Sequence, residues 1–217
     1  VLVGGPDDGL PGSDADVAVF EGSKGSYEFG VDTLSGSLTV TSKDTGSVDI
    51  VEGIETLSFG DGPLTVNRPS SDAAFTLTGS DGADDVIEVQ SATGFVLEGG
   101  AGTDTLIGGV GDDTLIGGGG DDVFVVDGGE DVIDGGAGRD ALDFSASVSG
   151  VQVDLSTGTL VDGEGIGDHF TSIEIVMGTD AADTLVGSED SDTLIGGGGD
   201  DTLIGGGGED VVDGGGG

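Results

Sequence analysis

The sequence predicts an all-β solenoid in which very short strands stack in parallel coils. Three observations support this fold class: a nine-residue unit recurs in two blocks, each unit has aspartate at its sixth position and an apolar residue at its eighth, and 49 of the 217 residues are glycine. Glycine costs about 1 kcal/mol relative to alanine in a helix interior, so the blocks do not favour helices. Each unit is interpreted as a six-residue turn followed by a three-residue strand, and two units make one coil of 18 residues.

The first repeat block contains five consecutive units, which begin at residues 99, 108, 117, 126 and 135. We name each turn by the number of its first residue, so that turn 99 comprises residues 99–104. An outlying unit begins at Gly79, with Asp84 at its sixth position, and is predicted to form the first turn of the solenoid. The sixth positions of the five consecutive units are Asp104, Asp113, Asp122, Asp131 and Asp140.

The second repeat block contains four units, which begin at residues 178, 187, 196 and 205. Their sixth positions are Asp183, Asp192, Asp201 and Asp210. Because side chains alternate between the two faces of a strand, the eighth position of every unit is predicted to point inward. These residues are Val86, Leu106, Leu115, Phe124, Ile133, Leu142, Leu185, Leu194, Leu203 and Val212.

The repeats divide the chain into four regions. Residues 1–70 are predicted to be a β-rich spacer that follows an earlier repeat block, and residues 71–143 form the first block. Residues 144–177 are predicted to be a β spacer that continues the solenoid, before a second block at 178–217 that is incomplete at its C-terminal end. The spacers contain strand-like segments at 16–20, 37–41, 54–59, 151–155 and 172–176, and residues 67–71 are the linker candidate.

The composition excludes several classes of protein. The chain has 44 Asp and Glu but only 4 Lys and Arg, a formal net charge of −40, so its surface repels nucleic acid and anionic membranes. It contains no Cys, which excludes disulfides and thiolate zinc sites, and no apolar run is long enough to span a bilayer. With 34% hydrophobic residues and no Trp, a conventional core is small. We expect cations to supply the missing stability, and disorder without them.

The sequence offers few candidates for catalysis. His169 is the only histidine, and neither Lys24 nor Lys43 belongs to a Gly-Lys-Ser/Thr phosphate loop. Adjacent carboxylates such as Asp112 and Asp113 resemble a glycosidase pair, but neighbouring strand residues point to opposite faces and such pairs recur with the repeat. We therefore expect no enzymatic activity. An EF-hand is not expected either, because its loop signature and flanking helices are missing.

The turns have the composition of calcium-binding loops. Glycine at the first, second and fourth positions allows positive φ angles that turn carbonyl oxygens toward one point, and the aspartate adds a negative oxygen. Calcium takes six to eight oxygen ligands, whereas zinc and copper prefer nitrogen or sulfur. Equivalent aspartates of stacked turns would lie about 4.8 Å apart and repel each other by roughly 3–4 kcal/mol at an effective dielectric constant of 20. A dication between them is therefore expected.

The pattern resembles the RTX (repeats-in-toxin, haemolysin-type) calcium-binding nonapeptide, closely over residues 79–87, 99–143 and 178–217 and more weakly over 18–62. This resemblance implies a right-handed parallel β-roll with calcium at both edges, shared between turns two units apart. The implied pairs, about six in number, are turns 79 with 99, 99 with 117, 117 with 135, 108 with 126, 178 with 196, and 187 with 205. We expect weaker or empty sites where the glycine pattern fails, at Val126, Asp127, Thr179, Ala181, Ser188 and Asp190.

The resemblance also implies which residues bind calcium. In the first block the expected ligands are Gly79, Asp81, Gly82, Asp84, Gly99, Gly100, Ala101, Gly102, Asp104, Gly108, Gly109, Val110, Gly111, Asp113, Gly117, Gly118, Gly119, Gly120, Asp122, Gly128, Gly129, Asp131, Gly135, Gly136, Ala137, Gly138 and Asp140. In the second block they are Gly178, Asp180, Asp183, Gly187, Glu189, Asp190, Asp192, Gly196, Gly197, Gly198, Gly199, Asp201, Gly205, Gly206, Gly207, Gly208 and Asp210.

The expected function is that of a calcium-binding module that stays extended in a calcium-poor cytoplasm and folds on calcium binding outside the cell. The module would serve as a structural, assembly or secretion-folding part of a larger extracellular protein, because both ends look like parts of further repeats. The resemblance implies type I secretion. An alternative is recognition of a polysaccharide or cell surface by a module attached to a secreted enzyme or adhesin.

Overall fold

The computed structural model describes residues 2–3, 17–20, 23–31, 38–45, 47–52, 56–59, 62–67, 74–82, 84–89, 92–161 and 167–217. Within these residues the chain is all-β, and the one helical element is a 3₁₀ turn at Lys24–Ser26. No helix in this part of the chain has the length and apolar character needed to cross a membrane.

The strands are short, and many contain only three residues. In chain order they are β1 (Leu2–Val3), β2 (Val17–Val19), β3 (Tyr27–Val31), β4 (Leu38–Ser42), β5 (Val48–Glu52), β6 (Thr56–Phe59), β7 (Gly62–Asn67), β8 (Phe75–Thr78), β9 (Val86–Glu88), β10 (Phe95–Ala101), β11 (Thr105–Ile107), β12 (Thr114–Gly119), β13 (Val123–Val125), β14 (Val132–Ala137), β15 (Ala141–Asp143), β16 (Gln152–Asp154), β17 (Thr159–Val161), β18 (Gly167–Thr171), β19 (Ile175–Met177), β20 (Thr184–Val186), β21 (Thr193–Ile195), β22 (Thr202–Ile204) and β23 (Val211–Asp213).

Two long sheets form the body of the fold, and the chain alternates between them in the repeat blocks. Sheet I has the order β2-β6-β7-β8-β10-β12-β14-β18-β17-β16-β20-β22, and sheet II has the order β23-β21-β19-β15-β13-β11-β9. Within the blocks the pairing is parallel, with Leu97 opposite Leu115 in sheet I and Leu106 opposite Phe124 in sheet II. Each of these pairs is 18 residues apart, which confirms the predicted coil of two units and the predicted all-β solenoid.

The core is one continuous apolar column inside the coils. Most eighth-position side chains are buried with an exposed fraction of at most 1%, and each contributes about 1.5–3 kcal/mol relative to an exposed side chain. These residues are Leu106, Leu115, Phe124, Ile133, Leu142, Leu185 and Leu194. Leu203 packs against this column and is partly buried.

The register of the first unit differs from the prediction. Ile87, not Val86, lies opposite Leu106, and its side chain is 0% exposed whereas that of Val86 is 36% exposed. Turn 79 contains one extra residue before β9, so it comprises residues 79–85 and its strand is shifted by one position. Since successive strand residues face opposite sides, this shift turns Val86 outward.

The eighth position of the last unit is also not buried. Val212 is 48% exposed. It lies in β23, which is an edge strand of sheet II and has a paired strand, β21, on one side only. Val212 lies opposite the buried Leu194, so it is on the inner face as predicted, but this face is uncovered at the edge strand.

The spacer at 144–177 continues the solenoid, but not with parallel strands alone. β18 pairs in parallel with β14, and β16 pairs in parallel with β20. Between them β17 is antiparallel to both neighbours, so a three-stranded meander is inserted into sheet I. Sheet II has no corresponding insertion, because β19 pairs directly with both β15 and β21.

The N-terminal region leads into the solenoid through antiparallel strands. β3, β4 and β5 form an antiparallel sheet with β1 at its edge, and β6, β7 and β8 form a meander at the start of sheet I. The strand-like segments at 16–20, 37–41 and 54–59 coincide with β2, β4 and β6. Most of the linker candidate at 67–71 lies outside the described residues; Asn67 is the last residue of β7.

Candidate metal sites in the stacked turns

The sixth-position aspartates are the most unusual buried residues of the fold. Seven of them are at most 3% exposed, although isolated buried carboxylates are strongly disfavoured unless they are compensated. These residues are Asp104, Asp113, Asp122, Asp131, Asp140, Asp183 and Asp192. Their burial follows from the coil geometry, because each lies two residues before an inward-pointing side chain on the same face.

One oxygen of these carboxylates is held by a ladder along each edge of the solenoid. The backbone N–H of Asp104 donates to Oδ1 of Asp122 at 2.8 Å, and that of Asp122 donates to Oδ1 of Asp140 at 2.9 Å. On the other edge the N–H of Asp113 donates to Oδ1 of Asp131 at 2.8 Å. These bonds fix the carboxyl groups of successive turns in one orientation.

Among the described residues, the second carboxylate oxygen has no hydrogen-bond partner in five of the turns. It is buried and accepts no hydrogen bond at Asp104 Oδ2, Asp113 Oδ2, Asp122 Oδ2, Asp140 Oδ2 and Asp201 Oδ2. An unsatisfied buried carboxylate oxygen is costly, so each of these atoms requires a cation or a proton.

Each unpaired oxygen faces the first residue of its own turn, where the next turn stacks. A Cβ added to Gly117 would overlap Asp122 Oδ2 and would lie 2.6 Å from the carbonyl oxygen of Gly135. A carboxylate oxygen and a carbonyl oxygen from two stacked turns therefore converge on a space that glycine leaves open. Hard oxygen donors in this arrangement suit calcium.

Side chains alone do not complete a metal site. Among the residues that the structure describes, no three Asp, Glu, His or Cys side chains are grouped as metal ligands. A cation in these turns would therefore take most of its ligands from backbone carbonyl oxygens, with one or two carboxylates. This donor set again matches calcium rather than zinc or copper.

Without a cation, the buried aspartates bind protons more tightly than usual. Burial raises the pKa of Asp122 to about 6, of Asp113 to about 7 and of Asp131 to about 8 from the usual value of 3.8. Burial also raises the pKa of Asp104 and of Asp140. In each case hydrogen bonds from backbone N–H groups partly oppose the shift, and neighbouring carboxylates add to it.

Three acidic residues of the ladder were not predicted. Asp85, not Asp84, is buried in turn 79, and its N–H donates to Oδ1 of Asp104 at 2.8 Å, because the turn has one extra residue. Asp168 Oδ1 accepts from the N–H of Asp131, and Glu174 Oε2 accepts from that of Asp140, both at 2.9 Å. All three stand two residues before an inward-pointing side chain, so an acidic-x-apolar pattern would have found them.

The ladder stops between the two repeat blocks. On one edge it ends at Glu174, whose N–H bonds the carbonyl of Asp140, and Asp192 Oδ1 is left without a partner. On the other edge it ends at Asp168 and starts again where the N–H of Val151 donates to Asp183 Oδ1 at 2.7 Å. The inserted meander separates these two segments.

The exposed acidic residues form a second, outer set of contacts. The N–H of Thr103 donates to Asp84 Oδ1 at 2.8 Å, and the N–H of Arg139 donates to Asp121 Oδ1 at 2.9 Å. Asp84 is thus a fifth-position residue that joins stacked turns at the surface, and it is not in the inner ladder where it was expected. The other expected carboxylate ligands outside the sixth position are also exposed, namely Asp81, Asp180, Glu189 and Asp190.

The turns expected to share ions are stacked as expected. Gly100 lies opposite Gly118, and Gly118 lies opposite Gly136. In the second block, Gly178 N–H bonds the carbonyl of Ile195, and Gly187 N–H bonds that of Ile204. The glycines of these turns therefore lie beside the unpaired oxygens, while their role as calcium ligands remains a prediction.

Comparison with protein families agrees with this geometry. The model of the RTX calcium-binding nonapeptide repeat matches four copies, over residues 98–132, 116–146 and 186–217. No curated protein matches the chain. The matched segments contain all five turns with an unpaired Oδ2 atom, and residues 98–146 and 186–217 are thus RTX calcium-binding nonapeptide repeats stacked in a β-roll.

Proposed function

We propose that this chain is a calcium-driven folding module, which is extended in a calcium-poor compartment and becomes ordered when calcium fills its turns. The observation that carries the proposal is the set of five buried Oδ2 atoms that no group of the described residues satisfies. A stack of such oxygens is unstable without a counter-charge, and the spaces beside them are bordered by carbonyl oxygens.

Linkage between binding and folding supplies the driving force. Calcium needs the stacked turns, so it binds the folded chain and scarcely the unfolded one. At a free calcium concentration of 100 times Kd, each occupied site adds about 2.7 kcal/mol to the free energy of unfolding. The resemblance implies about six stacked pairs of turns. These pairs differ in whether the second carboxylate oxygen has a hydrogen-bond partner.

The proposed ligands are the sixth-position aspartates together with carbonyl oxygens of the glycine-rich turns. In turn 79 the proposal moves from Asp84 to Asp85, which is the buried carboxylate. We propose a structural role without catalysis, since the RTX nonapeptide is a calcium-binding repeat. An extracellular setting reached by type I secretion is part of the proposal, because such repeats are typical of secreted proteins.

Circular dichroism during a calcium titration tests the proposal. The β signal should be weak in chelator and rise cooperatively with calcium. Magnesium should be much less effective, because it requires short octahedral bonds and gives up its water reluctantly. A full β signal in chelator would contradict calcium-driven folding.

A further inference from the structure

The second residue of a turn distinguishes turns 79 and 178 from the five turns with an unpaired Oδ2 atom. In turn 79 this residue is Ser80, whose N–H donates to Asp85 Oδ2 at 2.6 Å and whose Oγ donates to the same oxygen at 3.2 Å. In turn 178 it is Thr179, whose N–H donates to Asp183 Oδ2 at 2.7 Å. We call this pair of N–H and hydroxyl contacts the second-position latch. The latch donates hydrogen bonds to Oδ2, the oxygen that has no partner in the glycine turns.

The sign of φ at the second position accounts for the difference. The second-position glycines have positive φ, with values of 110° at Gly100, 107° at Gly118 and 96° at Gly197. Ser80 and Thr179 do not, because among the described residues Ser172 is the only one other than glycine with positive φ. Side chains disfavour that region, so a residue with a Cβ presents its N–H to the carboxylate where glycine does not.

The fourth position does not decide this outcome. Turn 178 also lacks glycine at its fourth position, where Ala181 stands. However, Gly111 at the fourth position of turn 108 has no positive φ, and Asp113 Oδ2 in that turn is still unpaired. The second position of that turn, Gly109, has a φ of 87°. An open carboxylate oxygen thus accompanies positive φ at the second position.

The other oxygen of both latched aspartates also has a partner, which is a hydrogen-bond donor at Asp183 and, at Asp85, an ion pair with no hydrogen bond from the described residues. Asp183 Oδ1 accepts from the N–H of Val151 at 2.7 Å and from Thr179 Oγ1 at 3.1 Å. Asp85 Oδ1 forms an ion pair of 2.6 Å with the Lys24 ammonium group, and both side chains are 0% exposed. A positive charge of the chain itself therefore stands beside the first carboxylate of the ladder.

We propose that turns 79 and 178 are closed by the chain and take up no calcium, whereas the five turns with an unpaired Oδ2 do. This inference rests on the proposed function. Contacts within the chain then take the place of calcium at two of the expected positions, between turns 79 and 99 and between turns 178 and 196. Both turns also lie outside the segments that match the RTX repeat model.

Turn 187 is not included. The N–H of Ser188 donates to Asp192 Oδ2 at 2.6 Å, as in a latched turn, but Asp192 Oδ1 has no partner. Oδ2 of this carboxylate is hydrogen-bonded within the turn, whereas Oδ1 has no partner among the described residues, so turn 187 belongs to neither group.

The test is the number of calcium ions bound at saturation, measured by equilibrium dialysis and calorimetry on the full chain. Thr179→Gly deletes the hydroxyl and allows the positive φ of the glycine turns, in which the N–H no longer faces the carboxylate. We expect about one additional calcium ion per chain. Ala182→Gly is the matched control, because it adds glycine to the same turn without touching the latch, and Thr179→Ser preserves the latch. Both should bind the same number of ions as the parent chain.

The reverse change is made in turn 196. A Cβ at Gly197 would overlap the carbonyl oxygen of Thr179 at a φ of 96°, so Gly197→Ser forces this position out of positive φ. The new N–H and hydroxyl contacts then close Asp201, and we expect the loss of about one ion. Gly198→Ser is its control, since a Cβ there meets only ordinary contacts, the nearest at 3.4 Å. If Thr179→Gly folds with an unchanged number of ions, the inference is wrong.

A measurement on the parent chain does not depend on the variants folding. In a crystal grown with saturating calcium, anomalous scattering should mark ions beside Asp104, Asp122 and Asp201 but none beside Asp85 or Asp183. Ions at the latter two would overturn the inference while leaving the proposed function intact. A parent chain that binds no calcium would overturn the proposed function instead.

Discussion

At the scale of single residues, the two oxygens of one carboxylate have different tasks. Oδ1 of Asp122 accepts the N–H of Asp104, while Oδ2 has no partner in the part of the chain that the structure describes. The first task needs only an acceptor, whereas the second requires a negative charge facing a cation. Substitution by asparagine separates them, because the amide oxygen can keep the ladder bond but the amide group cannot neutralise calcium.

We predict that Asp122→Asn raises the calcium concentration at the midpoint of folding and lowers the free energy of unfolding in calcium by about 1.5–3 kcal/mol, the usual contribution of a charged partner. Asp121→Asn is the control, since Asp121 is exposed and its Oδ1 accepts only at the surface. Urea unfolding at fixed calcium measures both. Equal effects of the two substitutions would argue against a cation beside Asp122.

At the scale of elements, the 3₁₀ turn at Lys24–Ser26 is fastened to the start of the solenoid by the buried pair of Lys24 and Asp85. Removing one member of a buried ion pair leaves the other uncompensated, which usually costs about 3–5 kcal/mol. We predict this loss for Lys24→Met, measured by urea unfolding in saturating calcium. The double variant Lys24→Met/Asp85→Asn should recover part of it, and no recovery would show that the charge of Asp85 is not what Lys24 compensates.

The sequence predicted the elements well where the repeat is regular and poorly where a residue is inserted. The 18-residue coil and the inward Leu106 and Phe124 followed from periodicity, because every copy has the same length. In turn 79, counting six residues from Gly79 predicted Asp84 as the inner carboxylate. The structure buries Asp85 instead, two residues before the buried Ile87. Counting also could not place β17, because an antiparallel insertion leaves no mark on the nine-residue period.

At the scale of the whole molecule, protons and calcium compete for the same carboxylates. Since burial raises the pKa of Asp113 to about 7 and that of Asp131 to about 8, the metal-free folded turns bind protons that the unfolded chain has already released. The stability of the metal-free solenoid therefore increases as the pH falls through this range and decreases as it rises.

We predict that in chelator the β signal is stronger at pH 5 than at pH 8, and that calcium binds more tightly at pH 8. Circular dichroism at each pH, with and without calcium, measures both effects. Asp131→Asn, which cannot take up that proton, should weaken the dependence on pH in chelator. A chelated chain with the same signal at both pH values would contradict the prediction.

The ladder is interrupted between the two repeat blocks on both edges of the solenoid, and this affects how the molecule responds to its surroundings. Among the described residues, no ladder N–H of the first block donates to a carboxylate of the second. The blocks are joined through the backbone pairing of β15, β19 and β21, so the ladder itself does not relay saturation of the first block to the second. We expect the two blocks to respond at separate calcium thresholds. A protein containing this chain would then become ordered in two steps, at two successive calcium concentrations, rather than in one all-or-none transition.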